Sequence, residues 1–77
     1  MSVDVTLQEL VRAVLELPAD ADVTSTAQGV SPSWDSLAHV TLMTALESEF
    51  DLEIDLDDSL LLTSYDSVRK YVAARCA

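Results

Sequence analysis

The chain has 77 residues, 49% of them hydrophobic, and 14 acidic against four basic side chains give it a net charge of −10. This length allows one small domain spanning residues 1–77, and the apolar content excludes a disordered chain. Nucleic acid and anionic membranes repel so acidic a surface, and no apolar run is long enough to span a bilayer. We therefore expect a cytoplasmic monomer that binds neither.

Turn-forming residues are scarce, with one glycine and two prolines in the whole sequence. A many-stranded β fold needs more of them, so the composition predicts an all-α fold. We expect a small four-helix bundle of three longer helices and a short third helix, with a long loop between the first two. The single cysteine, Cys76, cannot form an internal disulfide and is interpreted as an incidental thiol near a frayed end.

The first helix is predicted to run from Asp4 or Thr6 to Leu17. Thr6 and Glu9 have the spacing of a capping box, and apolar residues follow at helical spacing. Pro18 cannot continue a helix and disfavours the helical conformation of the residue before it. We therefore place the end of the helix at Leu17.

Residues 19–34 form a polar segment with little periodicity, which predicts a long loop. Irregular loops of this length are uncommon in small domains and are often functional. We expect Val23 and Val30 to attach this loop to the core.

The second helix is predicted from Ser36 to Phe50, with Asp35 as its N-cap. A rotation of roughly 100° per residue separates two faces of this helix. His39 lies at the centre of the core face and is interpreted as a partly buried histidine bonded to the long loop. The core face also contains Leu42, Met43, Leu46 and Phe50. The opposite face is small and nearly uncharged, and it consists of Leu37, Val40, Thr41, Thr44, Glu47 and Ser48.

The segment from Asp51 to Asp57 alternates like a strand, but the sequence offers no second strand for it to pair with. It is predicted to be an extended linker that buries Leu52 or Ile54. A short third helix is expected at residues 59–62. The last helix is predicted to be capped by residues 63–66 and to end near Arg75, with Tyr65, Val68, Tyr71 and Val72 facing inward.

Acidic residues Asp51, Glu53 and Asp55 have the spacing that begins an EF-hand calcium loop. That loop needs glycine at its sixth position and a glutamate at its twelfth, and this sequence has Leu56 and Leu62 there. The pattern therefore excludes a dedicated calcium site, and no metal site is predicted.

Ser36 is the candidate for covalent chemistry. A helix N-terminus offers unpaired N–H groups and the positive end of the helix dipole, both of which favour a phosphate. With Asp35 as the cap, the Ser36 hydroxyl is free to face outward. These features suit phosphodiester attachment at Ser36, although a serine near a helix start is commonly only a cap.

The motif Asp35-Ser36-Leu37, with Leu42, Leu46, Phe50 and Ile54 in register behind it, resembles the acyl carrier protein family. The similarity extends over nearly the whole chain. It implies that a phosphopantetheinyl transferase attaches 4′-phosphopantetheine from coenzyme A to Ser36, and that the arm then holds acyl or aminoacyl groups as thioesters. On this interpretation the chain is not an enzyme but a substrate of enzymes.

The resemblance also implies a docking surface beside Ser36 for partner enzymes. The expected partners are the transferase, an acyl- or aminoacyl-loading enzyme, and downstream synthase, condensing or tailoring enzymes. In fatty-acid carriers this surface is usually strongly acidic, whereas here several of its positions are Ala, Thr or Ser. This departure favours a polyketide, nonribosomal peptide or hybrid pathway over fatty-acid synthesis. We assign docking to Asp35, Leu37, Val40, Thr41, Thr44, Glu47 and Ser48.

Two other classes of function compete with this interpretation. One is an acidic helical interaction module whose Ser36 is never modified. The other is a small serine hydrolase that uses Asp35, Ser36 and His39, although the sequence lacks the G-x-S-x-G turn that exposes such a nucleophile.

Overall fold

Four α-helices and one short 3₁₀ turn make up the computed structural model, which describes residues 3–76. No strand occurs within that range, so the predicted all-α four-helix fold is confirmed. The same residues contain no helix long and apolar enough to cross a bilayer. The elements are α1 (Val3–Val14), the 3₁₀ turn (Val23–Ser25), α2 (Ser36–Phe50), α3 (Leu56–Leu61) and α4 (Tyr65–Cys76).

Helix α1 includes Val3, one residue before the predicted start near Asp4, whereas the alternative start at Thr6 is wrong because Thr6 lies inside the helix. Two contacts explain the earlier start. Val3 packs against the core, and the hydroxyl of Tyr65 donates a hydrogen bond to the Asp4 carboxylate at 2.6 Å. These tertiary contacts help to fix this end of the helix.

The end of α1 also differs from the prediction, because the helix ends at Val14 and not at Leu17. Glu16 adopts the left-handed conformation with φ 54°. The Leu17 N–H then bonds the Arg12 carbonyl at 2.9 Å, which is the long-range bond of a Schellman motif. The chain thus leaves the helix before Pro18 can interrupt it.

The loop between α1 and α2 is attached to the core by Val23, which is buried as predicted. The prediction for Val30 is wrong, since this side chain is 79% exposed. Val30 follows Gly29, which has φ 82°, in a tight turn closed by a bond from the Ser31 N–H to the Ala27 carbonyl. This turn carries Val30 away from the core.

Polar bonds hold this loop at two places. The Arg12 guanidinium donates to the carbonyl oxygens of Pro18 and Ala21. Farther along, Ala27 and Ser64 form an isolated antiparallel bridge, which connects the loop to the start of α4.

The core face of α2 agrees with the prediction at His39, Leu42, Met43 and Leu46, all of which are buried. Phe50 is only partly buried and packs at the edge of the core. In α4 the inward positions Tyr65, Val68 and Val72 are buried, and Tyr71 is partly buried. The remaining buried core residues are Leu7, Val11, Leu15, Val23, Trp34 and Leu62.

The third helix was predicted at residues 59–62, but α3 begins at Leu56. Asp55 explains the difference, because its carboxylate accepts a bond from the Asp58 N–H at 2.8 Å and caps the helix. The linker before it is irregular, as expected, and both Leu52 and Ile54 pack against the core. The side chain of Cys76 is not among those described, so the interpretation of its thiol stays a prediction.

Candidate functional site

Ser36 is the first residue of α2, and its side chain is exposed. Asp35 occupies the N-cap with extended backbone, and its carboxylate accepts a bond from the Ala38 N–H at 2.8 Å. The predicted cap is therefore confirmed, and the helix does not use Ser36 for that purpose. The serine hydroxyl stands at the positive end of the helix dipole, beside the unpaired N–H groups of the first turn.

His39 is buried under this helix start, as the sequence predicted, and it is bonded to the loop through Trp34. The indole Nε1–H of Trp34 lies 3.0 Å from His39 Nδ1 and can only donate, so Nδ1 is the acceptor. The ring proton of the neutral imidazole is then on Nε2, which donates to the Ser59 carbonyl oxygen at 2.9 Å. One side chain thus connects the loop, α2 and α3.

The predicted docking residues lie on one exposed stripe of α2 that begins next to Ser36. Leu37 is 77% exposed and Val40 is 63% exposed. The hydroxyls of Thr41 and Thr44 donate to the carbonyl oxygens of Leu37 and Val40, both at 3.0 Å. These hydroxyls are engaged with the helix backbone, so the stripe is more apolar than its sequence suggests. Ser48, at its far end, is also exposed.

Glu47 differs from the rest of the predicted docking set. It is only partly exposed, and its carboxylate accepts a bond from the Ile54 N–H at 3.1 Å. The carboxylate therefore holds the linker after α2 in place. Of the two acidic residues in the predicted set, Asp35 caps the helix and Glu47 binds the linker.

A groove of about 400 Å³ runs beside the serine, between the end of α1 and the start of α2. Its wall on the α2 side includes Leu37 and Asp35, the two neighbours of Ser36 in the chain. The opposite wall includes Val14 and Glu16 from the end of α1.

Helix α3, which His39 connects to α2, is also connected to α4 through polar contacts. The hydroxyl of Tyr71 donates to the Asp58 carboxylate at 2.8 Å, and the Arg75 guanidinium lies 3.6 Å from the same carboxylate. Burial, and secondarily this hydrogen bond, raise the pKa of the Tyr71 phenol above its usual value. The neutral phenol that donates the bond is therefore favoured in the folded protein.

The described part of the chain contains no group of three or more His, Cys, Asp or Glu side chains that could hold a metal ion. The residues proposed for the calcium-like spacing serve other purposes. Asp55 caps α3, and Asp51 takes the left-handed conformation at the end of α2.

Sequence reasoning did not anticipate three features of this region. Trp34 is only 1% exposed, although it lies at the end of a polar loop. Its position before the cap and its bond to the fourth residue of the helix match a hydrophobic staple, and this spacing was the available signal. No local pattern places Glu16 or Ser33 in the groove, because the fold brings these residues together from separate segments.

Comparison with known proteins adds no identification to this geometry. No model of a protein family matches the sequence, and a search of curated proteins found no significant match.

Proposed function

We propose that this chain is a carrier protein of the acyl carrier type, modified on Ser36 with 4′-phosphopantetheine. The observation that carries the proposal is the exposed serine at the first position of α2, relieved of capping by the adjacent aspartate. A phosphodiester placed there meets the positive end of the helix dipole and solvent on its open side. The sequence resemblance supports the same assignment.

The engagement of His39 weighs against the hydrolase alternative. A general base must reach the proton that it removes. Both ring nitrogens of His39 are bonded to other groups, Nδ1 to Trp34 and Nε2 to Ser59, and the ring is buried. In this arrangement the histidine positions α3 and does not activate Ser36.

In the proposed function the arm supplies a thiol that holds acyl or aminoacyl groups as thioesters. The chain contributes the attachment point and a recognition surface. The exposed stripe of α2 is suited to partner enzymes that bind apolar and hydroxyl-bearing residues, because Leu37 and Val40 project into solvent and the threonine hydroxyls are internally bonded. The proposed partners are a transferase, a loading enzyme and downstream synthase, condensing or tailoring enzymes.

The weak charge of this stripe supports a role in polyketide, nonribosomal peptide or hybrid biosynthesis. Its one partly exposed acid besides the cap, Glu47, is occupied with the linker. A carrier for fatty-acid synthesis remains the alternative within the family, and an unmodified interaction module the alternative outside it. The predicted cytoplasmic location stays a prediction.

The test is intact mass after incubation with a promiscuous phosphopantetheinyl transferase, Mg²⁺ and coenzyme A. We expect the parent to gain one phosphopantetheine and Ser36→Ala to gain none. Ser25→Ala is the matched control, because it removes an exposed serine outside α2 and its docking stripe, and it should be modified like the parent. An unmodified parent, or a modified Ser36→Ala, would refute the proposal.

A further inference from the structure

The groove between α1 and α2 has no role in the attachment of the arm to Ser36 or in the docking of partner enzymes on α2. Its lining includes Glu16, which forms the left-handed turn that ends α1, and residues from the start of α2. Two of its lining residues, Asp35 and Leu37, flank Ser36 directly. Ser36 itself does not line the groove, so a group attached to it enters from the position between these two residues.

The groove is rich in hydrogen-bond acceptors. Its lining residues include the acids Asp35 and Glu16 and the hydroxyl-bearing Ser33. One Asp35 carboxylate oxygen is already bonded to the Ala38 N–H. Val14 and Leu37 provide apolar surface beside them. A pantetheine arm offers the complementary groups, since it has amide N–H and hydroxyl donors together with a dimethyl-substituted carbon. Hydrogen bonds from such donors to carboxylates are among the stronger ones in proteins.

The charge of the groove discriminates between cargoes. No lysine or arginine is among its lining residues, and both ionisable lining residues, Glu16 and Asp35, are acidic. These two acids attract a cargo that has a free ammonium group. They repel a cargo that keeps one free carboxylate after its other carboxyl has formed the thioester. Covalent attachment at Ser36 gives the cargo a high effective concentration, so weak contacts are sufficient for occupancy.

We propose that the arm on Ser36 rests in this groove, and that the groove favours an arm charged with an aminoacyl group over one charged with a dicarboxylic acyl group. This inference rests on the proposed function, because it requires modification of Ser36. It adds a site for the arm and a class of cargo.

The experiment uses ¹⁵N-labelled protein loaded with three stable coenzyme A analogues, in which an amide replaces the thioester and the end group is glycyl, acetyl or malonyl. Intact mass first establishes complete modification of each sample. Backbone amide shifts are then compared with those of the unmodified protein. We expect shift changes at residues 14–16 and at Ser33, largest for glycyl, smaller for acetyl and smallest for malonyl, with the differences reduced by added salt.

Two variants sharpen this measurement. Glu16→Gln removes one charge from the groove, and it should reduce the glycyl-dependent shifts to the acetyl level while loading is unchanged. Glu9→Gln is the matched control, because Glu9 is an exposed acid of α1 that lines a separate groove with Thr6 and Glu49. It should leave the order of the three arms unchanged.

The outcomes separate this inference from the proposed function. Absence of modification would overturn both. Complete modification, with shift changes confined to the residues next to Ser36 on α2, would overturn the inference alone. Equal shifts for the three end groups, or no effect of Glu16→Gln, would overturn the assignment of an aminoacyl cargo.

Discussion

Helices α2 and α3 begin in the same way but are held in the protein by different forces. Each starts behind an aspartate whose carboxylate accepts a bond at 2.8 Å from the backbone N–H three residues later. Four residues of α2 are buried, whereas no residue of α3 is buried. The most extensive contacts between elements join α1, α2, α4 and the 3₁₀ turn, and α3 takes part in none of them.

Polar contacts take the place of a core face in α3. Ser59 accepts from His39, and Asp58 is bonded to Tyr71 on α4. Three leucines of α3, Leu56, Leu60 and Leu61, are largely exposed. We infer that α2 is fixed by apolar burial, while α3 is tethered through side chains and can move without disrupting the core. In the proposed carrier function, this arrangement would hold Ser36 on a helix packed into the core and leave the neighbouring helix adjustable.

The largest expected difference comes from the same substitution made in both helices. Leu46→Ala should lower the free energy of unfolding by roughly 2–5 kcal/mol, because it leaves a cavity in a fully buried region. Leu60→Ala should change it by no more than about 0.5 kcal/mol, because this leucine is 65% exposed. Urea denaturation of both variants checks the pair. Equal losses would mean that α3 belongs to the core after all.

Replacing the histidine should affect α3 more than α2. His39→Phe keeps an aromatic ring but leaves the Trp34 N–H without its acceptor, at a cost of about 1–3 kcal/mol. Amide exchange measured by NMR should accelerate at residues 56–61 beyond the change seen at Leu42 and Leu46. Ser59→Ala is the control, because the shorter bond from His39 goes to the Ser59 backbone carbonyl and survives the substitution. Unchanged exchange in α3 would argue against the tether.

The two caps allow a third comparison. Asp35→Ala and Asp55→Ala each remove an N-cap worth about 1 kcal/mol. For Asp35→Ala we expect a lower Tm and slower loading of Ser36, since the cap holds the first turn that presents the serine. For Asp55→Ala we expect faster amide exchange in α3 with a smaller change in Tm. Equal changes in Tm for the two variants would contradict the view that α2 is more tightly fixed to the core than α3.

Alkaline pH should release the tyrosine contacts, with the smallest expected effect on α3. Burial, followed by the bond to Asp4, raises the pKa of Tyr65 to about 12 from the usual 10.0. Because the folded pKa is raised, the stabilising contribution is complete below pH 10.0 and is lost as the pH rises towards about 12. A Tm series across this window should show a progressive decline, and Tyr65→Phe should flatten most of it.

Tyr71→Phe tests how much of the decline in Tm at alkaline pH comes from the contact between Tyr71 and α3. The Tyr71 phenol is partly exposed and its pKa is also raised, so its loss should remove only a minor fraction of the alkaline decline. The variant should nevertheless increase exchange at Asp58, its partner on α3. A Tm series that is identical for the parent and Tyr65→Phe would contradict the role assigned to Tyr65.

The spacing of Leu42, Met43 and Leu46 made the core face of α2 predictable from the sequence, although Leu37 and Val40 make the opposite face apolar as well. Asp35 was equally clear as a cap. Asp55 was not recognised in the same role, since the alternation of acids and aliphatics around it resembles a strand. The cap overrides that pattern, because one carboxylate satisfies a free N–H at the start of α3.

The ends of α1 and the groove depended on long-range contacts that local patterns do not encode. Tyr65 binds Asp4 across almost the whole length of the sequence. Glu16 occupies a left-handed position that usually favours glycine, so nothing in the sequence marks it as the turn. The position of Ser36 follows from the local pattern of its own helix and was predictable. The groove beside it is built from separate segments of the chain and was not.

The bridge between Ala27 and Ser64 has a consequence for the order in which the chain folds during synthesis. The Gln28 N–H donates to the Thr63 carbonyl at 2.7 Å, and the Tyr65 N–H donates to the Thr26 carbonyl at 3.0 Å. The loop that leads into Ser36 therefore takes its final form only after residues 63–65 have left the ribosome. A nascent chain can form α2 earlier, but its serine acquires its complete surroundings only when the start of α4 is present.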